Sequence, residues 1–351
     1  MARRATAVLF ACVLATGLLT PIQPAAAAAG CAASPLAGRP PTPEHRPPSP
    51  EQRPRFSEQR SASSGHRPRF SEQRSTAPRS STPRLSEPQA PEPRSPEPRS
   101  PAPGDVATVG AELARRLRGV TPPARLTVPT WVHVITDGVS RAPDSAIRAQ
   151  LGTLNAAYGG RFGGVDTGVR FRLKGISVTR NARWFTDPIT HERAMKSALR
   201  KGGPETLNLY LAQLGDLVLG FAAYPYWYDG EPALDGVVAD WRGLPGGSLP
   251  GYDRGFTVVH EIGHWLGLFH PFENGCEEPG DGIPDTPPQL RPANGCPAAQ
   301  DSCPRPGQDG VHNFMDYAQD RCMREFTPGQ AQRMRHMWAA YRVRGATKLS
   351  R

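Results

Sequence analysis

Five residues in one short stretch, His260, Glu261, His264, Gly267 and His270, have the types and spacing that metal-assisted hydrolysis needs. On a helix, positions 260 and 264 lie one turn apart on a shared face, so two imidazoles reach one ion while Glu261 projects beside them. Gly267 accepts the backbone angles that let the chain leave the helix, and His270 then returns to the same ion. Three imidazoles hold zinc and leave the fourth tetrahedral position to water, which is a catalytic rather than a closed structural arrangement. Glu261 is placed to act as the general base that activates this zinc-bound water. At average residue frequencies such a five-position pattern arises by chance in only about one chain in 10⁵ of this length, so accident is a poor account of it.

A helix must carry the first two histidines, and Val258, Ile262 and Trp265 supply apolar positions at helical spacing to seat it against a core. Upstream, the pattern predicts a helix over Ala107 to Arg118, a strand from Leu126 to Ile135 and a helix from Ser145 to Tyr158 that opens after Pro143 and closes at Gly159 and Gly160. Val169 to Val178 alternates as a second strand. A helix around His191 to Arg200 follows, then short strands at Leu207 to Leu211, Gly220 to Ala223 and Gly236 to Ala239. Pro328 to Tyr341 reads as a last helix. Strands mixed with helices, followed by an irregular stretch, define an α+β enzyme domain.

The 351-residue chain divides by composition. Residues 1–29 read as a signal peptide, with Arg3 and Arg4, an apolar run from Ala5 to Leu19 and an alanine-rich cleavage region; the run is short for a transmembrane segment and no second one follows. Cys31, after Ala29 and Gly30, offers an alternative fate as a surface lipoprotein anchor. Residues 30–104 form a Pro-, Arg- and Ser-rich disordered spacer or pro-segment, in which Arg53 to Ser61 recurs as Arg67 to Ser75. This tail carries twelve Arg against seven Glu between Arg39 and Arg99, and so five of the formal ten positive charges. Its charges alternate, which suits a solvated spacer or association with a cell wall or cell surface; nucleic acid is not an expected partner. The catalytic domain is assigned to 105–351. Its cysteines, Cys276, Cys296, Cys303 and Cys322, lack a CxxC pair, and export favours two disulfides in one of three connectivities.

The complete pattern His260 to His270, followed by Asn313 Phe314 Met315 Asp316 Tyr317, resembles the metzincin metalloproteases with their methionine turn. The run Pro271 Phe272, Gly275 Cys276, Asp285 Thr286 Pro287, Ser302 Cys303, Cys322 and Phe326 to Gln330 resembles the pappalysin family in particular, over Leu126 to about Tyr341. The resemblance implies a zincin-like metzincin fold, with a small, mostly parallel mixed sheet, an active-site helix and a Met-turn. It implies zinc held by His260, His264 and His270, catalysis by Glu261 and Tyr317, a floor of Met315, and the disulfides Cys276–Cys303 and Cys296–Cys322. Calcium is a further candidate cofactor at the loop Asp281 to Thr286. The expected function is a secreted zinc endopeptidase acting on protein or peptide substrates held along a sheet edge at Gly220 to Pro225, with Ala318 to Arg321 near the side chain beyond the cleaved bond. A catalytically idle zinc-containing binding or adhesion protein of the cell surface is the alternative.

Overall fold

A computed structural model of the chain describes residues 98, 100–102, 104–215, 218–305 and 307–343. The signal peptide assigned to 1–29, Cys31 and nearly all of the spacer assigned to 30–104 lie outside the described residues. The described part opens with α1 (Asp105–Arg116), then β1 (Leu126–Thr136), α2 (Asp144–Ala157) and β2 (Val169–Arg180). Two short helices, α3 (Ala182–Thr186) and α4 (Glu192–Leu199), precede β3 (Leu207–Ala212), β4 (Gly220–Ala222) and β5 (Val237–Asp240). The zinc-motif helix is α5 (Phe256–Trp265), and α6 (Pro328–Met337) is the last α-helix before a π-helical turn over Trp338–Arg342. The helix read as running to Tyr341 therefore ends its α-helical part at Met337 and loosens into that wider turn.

The strands form one sheet in the order β2-β1-β3-β5-β4, parallel throughout except for β4, which runs antiparallel to β5 at the edge. Side chains alternate across the sheet, as a strand's period of two requires. Val128, Val132, Val134, Leu209, Leu211, Val237 and Ala239 face one core with Ile147, Leu151 and Leu154 of α2 and Val258, Val259 and Ile262 of α5. Ile135, Tyr210, Ala212, Phe221 and Val238 face the other, against Phe185 of α3 and Met195 of α4. Every residue of β3 is buried because helices cover both of its faces, and its Asn208 side chain is satisfied by the Lys201 backbone. The one register shift in β1 falls at Thr130/Trp131, opposite Gly175, where any side chain would collide with the Trp131 ring.

Three contacts fix α5. From α2, Gln150 Nε2 donates to the Gly255 carbonyl at 2.9 Å, and the hydroxyl of Tyr158, just past the helix end, donates to the Val259 carbonyl at 3.0 Å. At the other end, the buried Arg342 guanidinium lies 3.9 Å over the Trp265 ring and donates to the Trp265 carbonyl at 2.9 Å. Arg342 also pairs at 2.7 Å with the buried Asp235, which accepts from Trp265 Nε1 at 3.0 Å. Each charge is thus compensated, and removing one partner of such a buried pair typically costs about 3–5 kcal/mol. Val106, Val109 and Leu113 of α1 close a separate cluster with Tyr224, Phe269, Met337 and Tyr341, beside the end of the zinc motif.

Candidate metal centre and catalytic site

The helix α5 stops where the sequence demands. Gly267 takes a left-handed φ of +93°, and a side chain there would strike Met337. The Gly267 and Leu268 amides donate back to the carbonyls of His264 and Gly263 at 2.8 and 3.0 Å, which closes the helix end. The chain then returns, and the Nε2 atoms of His260, His264 and His270 converge, at 3.0 Å (260–264), 3.1 Å (264–270) and 3.3 Å (260–270). All three histidines are buried.

Their outer nitrogens explain what those inner atoms can bind. His260 Nδ1–H donates to the Phe314 carbonyl at 2.8 Å, and His264 Nδ1–H donates to the Leu268 carbonyl at 2.7 Å. A carbonyl only accepts, so both imidazoles carry their proton on Nδ1 and turn an Nε2 lone pair inward. Lone pairs facing one another at 3.0 Å repel unless a cation lies where they converge. Ligands about 2.0–2.1 Å from a tetrahedral zinc stand about 3.3 Å apart, so both the donor chemistry and the spacing fit zinc. Among the described residues these three form the one group of His, Cys, Asp or Glu side chains gathered closely enough to hold a metal ion.

Sequence reasoning missed the residues that orient these ligands. The Tyr224 hydroxyl, just beyond β4, lies 2.8 Å from His264 Nδ1, and the ring is fully buried. Glu273 stands 3.6 Å from His270 Nδ1, and Phe272 stacks on that imidazole at 4.6 Å. No local pattern announces Tyr224; an aromatic residue after a short edge strand reads equally well as core.

Glu261 is buried beside the ligands, and its carboxylate lies against the start of β4: a Cβ at Gly220 would come within 2.8 Å of Glu261 Oε1. Glycine at 220 is therefore a clearance for that carboxylate. Met315 is fully buried, with its sulfur under Gly263, where any side chain would collide with it. The Tyr317 ring packs 5.0 Å from that of His270 and 5.6 Å from that of His260. The turn bearing both is tied to α6 by reciprocal bonds between the Asn313 and Gln330 side chains at 2.9 Å, with Gln330 also serving the capping box at Thr327. Buried Asp316 accepts from the Tyr317 and Ala293 amides at 2.7 and 2.9 Å; burial raises its pKa.

Cys276 is bonded to Cys303 and Cys296 to Cys322. Of the residues expected near the substrate, Ala318 and Asp320 are buried while Arg321 is exposed. Asp320 turns inward to accept from the Arg254 amide at 2.7 Å and, more weakly, from the Phe256 amide at 3.4 Å at the start of α5. Burial pushes its pKa up to about 6.

Known proteins agree with this architecture. Residues 249–339 match the peptidase family described as pregnancy-associated plasma protein-A. An extracellular metalloprotease of Arthroderma benhamiae is 42% identical over 230 residues, 64% of this chain and 76% of the relative. One from Verticillium alfalfae is 42% identical over 246 residues, 68% of this chain and 86% of the relative. Mature mirolysin of Tannerella forsythia, solved with a cleaved peptide, superposes with a TM-score of 0.55 at 28% identity, over 62% of this chain and 93% of that one. The chain belongs to the pappalysin family of metzincin zinc metalloproteases. It is a metalloendopeptidase, and its substrates are peptides.

Proposed function

We propose that the protein is a secreted endopeptidase in which His260, His264 and His270 hold zinc, Glu261 is the general base and Tyr317 assists the transition state. The observation that carries this reading is the convergence of three inward Nε2 lone pairs, with the Glu261 carboxylate buried beside them. Zinc, when bound, supplies Lewis acidity that acidifies water and polarises the scissile carbonyl. Glu261 takes the proton of the attacking water and delivers it to the leaving amine. Its burial between α5 and Gly220 shields that transfer from bulk solvent. Tyr317 donates a hydrogen bond to the developing oxyanion, a contribution of about 3 kcal/mol in comparable sites. Met315 is the floor beneath the ligands and takes no chemical part. The substrate lies extended along the outer edge of β4, adding a strand to the sheet.

The experiment is cleavage of casein by purified Glu261→Ala and Tyr317→Phe proteins, with zinc content measured in parallel. Glu261→Ala is expected to keep zinc and lose activity about 10³-fold or more, and Tyr317→Phe to lose about 10²-fold. Unchanged cleavage in the first variant contradicts the mechanism.

Secretion rests on the names of the relatives and on the two disulfides; no helix among the described residues is long and apolar enough to cross a membrane. Residues 1–29 as a signal, 30–104 as spacer and 105–351 as the catalytic domain remain part of this reading. The mass of the mature N-terminus separates simple cleavage from anchoring at Cys31. Calcium at the loop Asp281 to Thr286 is the smaller part of the proposal: Asp281 Oδ2 and Thr286 Oγ1 are buried hard oxygens that interact with each other and with no other hydrogen-bond partner among the described residues. Asp285 contributes less, being committed to the Thr327 hydroxyl and the Gly329 amide, each at 2.7 Å. Added calcium is expected to raise the melting temperature; no shift at millimolar calcium removes this part.

A further inference from the structure

A second site lies next to the cleft, built on segments 251–254 and 317–324. Segment 251–254 begins at the cleft, where the Tyr252 hydroxyl lies 3.5 Å from the Tyr317 carbonyl and the Gly251 carbonyl accepts from the Asp320 amide at 2.9 Å. Beyond those contacts, both segments run into a pocket of about 470 Å³ whose lining includes Arg254, Arg321, Arg324, Asp253, Phe162 and Met323. Three guanidinium groups thus share one cavity with a single carboxylate, and among the described residues none of the three is in a salt bridge. The arginines are exposed at the rim.

The pocket is shaped rather than incidental. The loop carrying Phe162 crosses Arg324 so closely that a side chain on Gly163 would meet the Arg324 Cγ at 3.3 Å. Phe162 packs edge-on to Phe256 at 5.0 Å yet remains 44% exposed, an apolar surface with no covering partner. Phe256 is also the first residue of α5, so the positive end of that helix adds to the field of the arginines. Guanidinium forks match carboxylates bidentately, while Phe162 and Met323 suit the aliphatic stems between them.

We infer that this pocket is an exosite for an acidic segment of the polypeptide substrate, outside the residues around the cleaved bond. The inference rests on the protease reading above. A peptide is favoured over other anions because the pocket lies next to the cleft, so one extended chain reaches both. The protein's own spacer is a poor occupant, since residues 39–99 carry twelve Arg against seven Glu.

The test compares three fluorogenic peptides with one cleavable core: neutral, with three glutamates at the N-terminal end, and with three at the C-terminal end. The full-length wild-type protein is expected to cleave one of the tailed peptides about tenfold more efficiently (kcat/KM) than the neutral one at low salt, a gain falling below about twofold at 0.5 M salt. Arg324→Glu and Arg254→Ala are each expected to remove most of that gain while leaving the neutral peptide within about twofold. Equal rates on all three peptides, or a gain that survives both substitutions, overturns the exosite. If the neutral core itself is not cut, the protease reading is at fault. The pocket is then tested by anisotropy of a labelled hexaglutamate, which must bind the wild type about tenfold more tightly than Arg324→Glu for the exosite to stand.

Discussion

The two halves of the described domain share one apolar core but add different supports to it. From α1 to the end of α5, strands and helices bury continuous apolar faces, and the polar exceptions are paired, as Lys196 is with Glu192 and Asp235 with Arg342 from beyond α6. Between His270 and α6 the chain forms turns and bends without a strand or helix; Phe314, Met315, Ala318 and Phe326 join the same core, and two disulfides together with buried Asp316 and Asp320 accepting backbone amides staple the rest. The centre sits at the boundary. The apolar half presents His260, His264 and Glu261, His270 stands at the junction, and the stapled half supplies Met315 and Tyr317. A rigid helix is suited to setting ligand distances, and a loop to shaping what surrounds them.

This contrast can be broken from either side. Leu209→Ala, in a fully covered strand, is expected to cost about 4 kcal/mol in denaturant unfolding, with and without reductant alike. Replacing Cys296 and Cys322 together by serine opens a loop of sequence separation 26 and is expected to cost about 3.5 kcal/mol, depressing activity before the sheet unfolds. Near-ultraviolet and far-ultraviolet circular dichroism of that variant should diverge on heating; coincident transitions would mean that the halves are one cooperative unit.

The smallest effect is electrostatic. Asp320 has its folded pKa raised to about 6 from 3.8 by burial, so the folded state keeps a proton that the unfolded state gives up. Its contribution is most favourable below about pH 4 and is lost as pH rises through about 6, by up to about 3 kcal/mol. Asp320→Asn, which still accepts the Arg254 amide, is expected to flatten stability over that window. An unchanged pH profile in this variant would remove Asp320 from the account.

Legibility in the sequence followed the same division. His260 to His270 is read from eleven adjacent residues because helical spacing and Gly267 alone set the geometry; β2 is read from its alternation, and β1 and β3 from short local segments. The sheet order is not local information, and neither is the pairing of β4 with β5 that brings Gly220 against Glu261. The short α3 went unread, although Asn181, which accepts from the Trp184 amide, is an N-cap signal. In the stapled half, residue type misled where burial decides role. Ala318 to Arg321 read together as neighbours of the substrate, whereas Asp320 is turned inward to the start of α5 and Arg321 lines a separate pocket. Tyr224 had no signal, since its contact with His264 depends on the whole sheet edge.

In the proposed centre, three imidazoles of one local motif hold a single zinc ion with one position left for chemistry. X-ray absorption at the zinc edge of the purified protein tests it most directly. One zinc per chain is expected, with about three imidazole nitrogens and one further light-atom ligand at about 2.0–2.1 Å. Sulfur scattering at about 2.3 Å, or a four-imidazole shell, would contradict it.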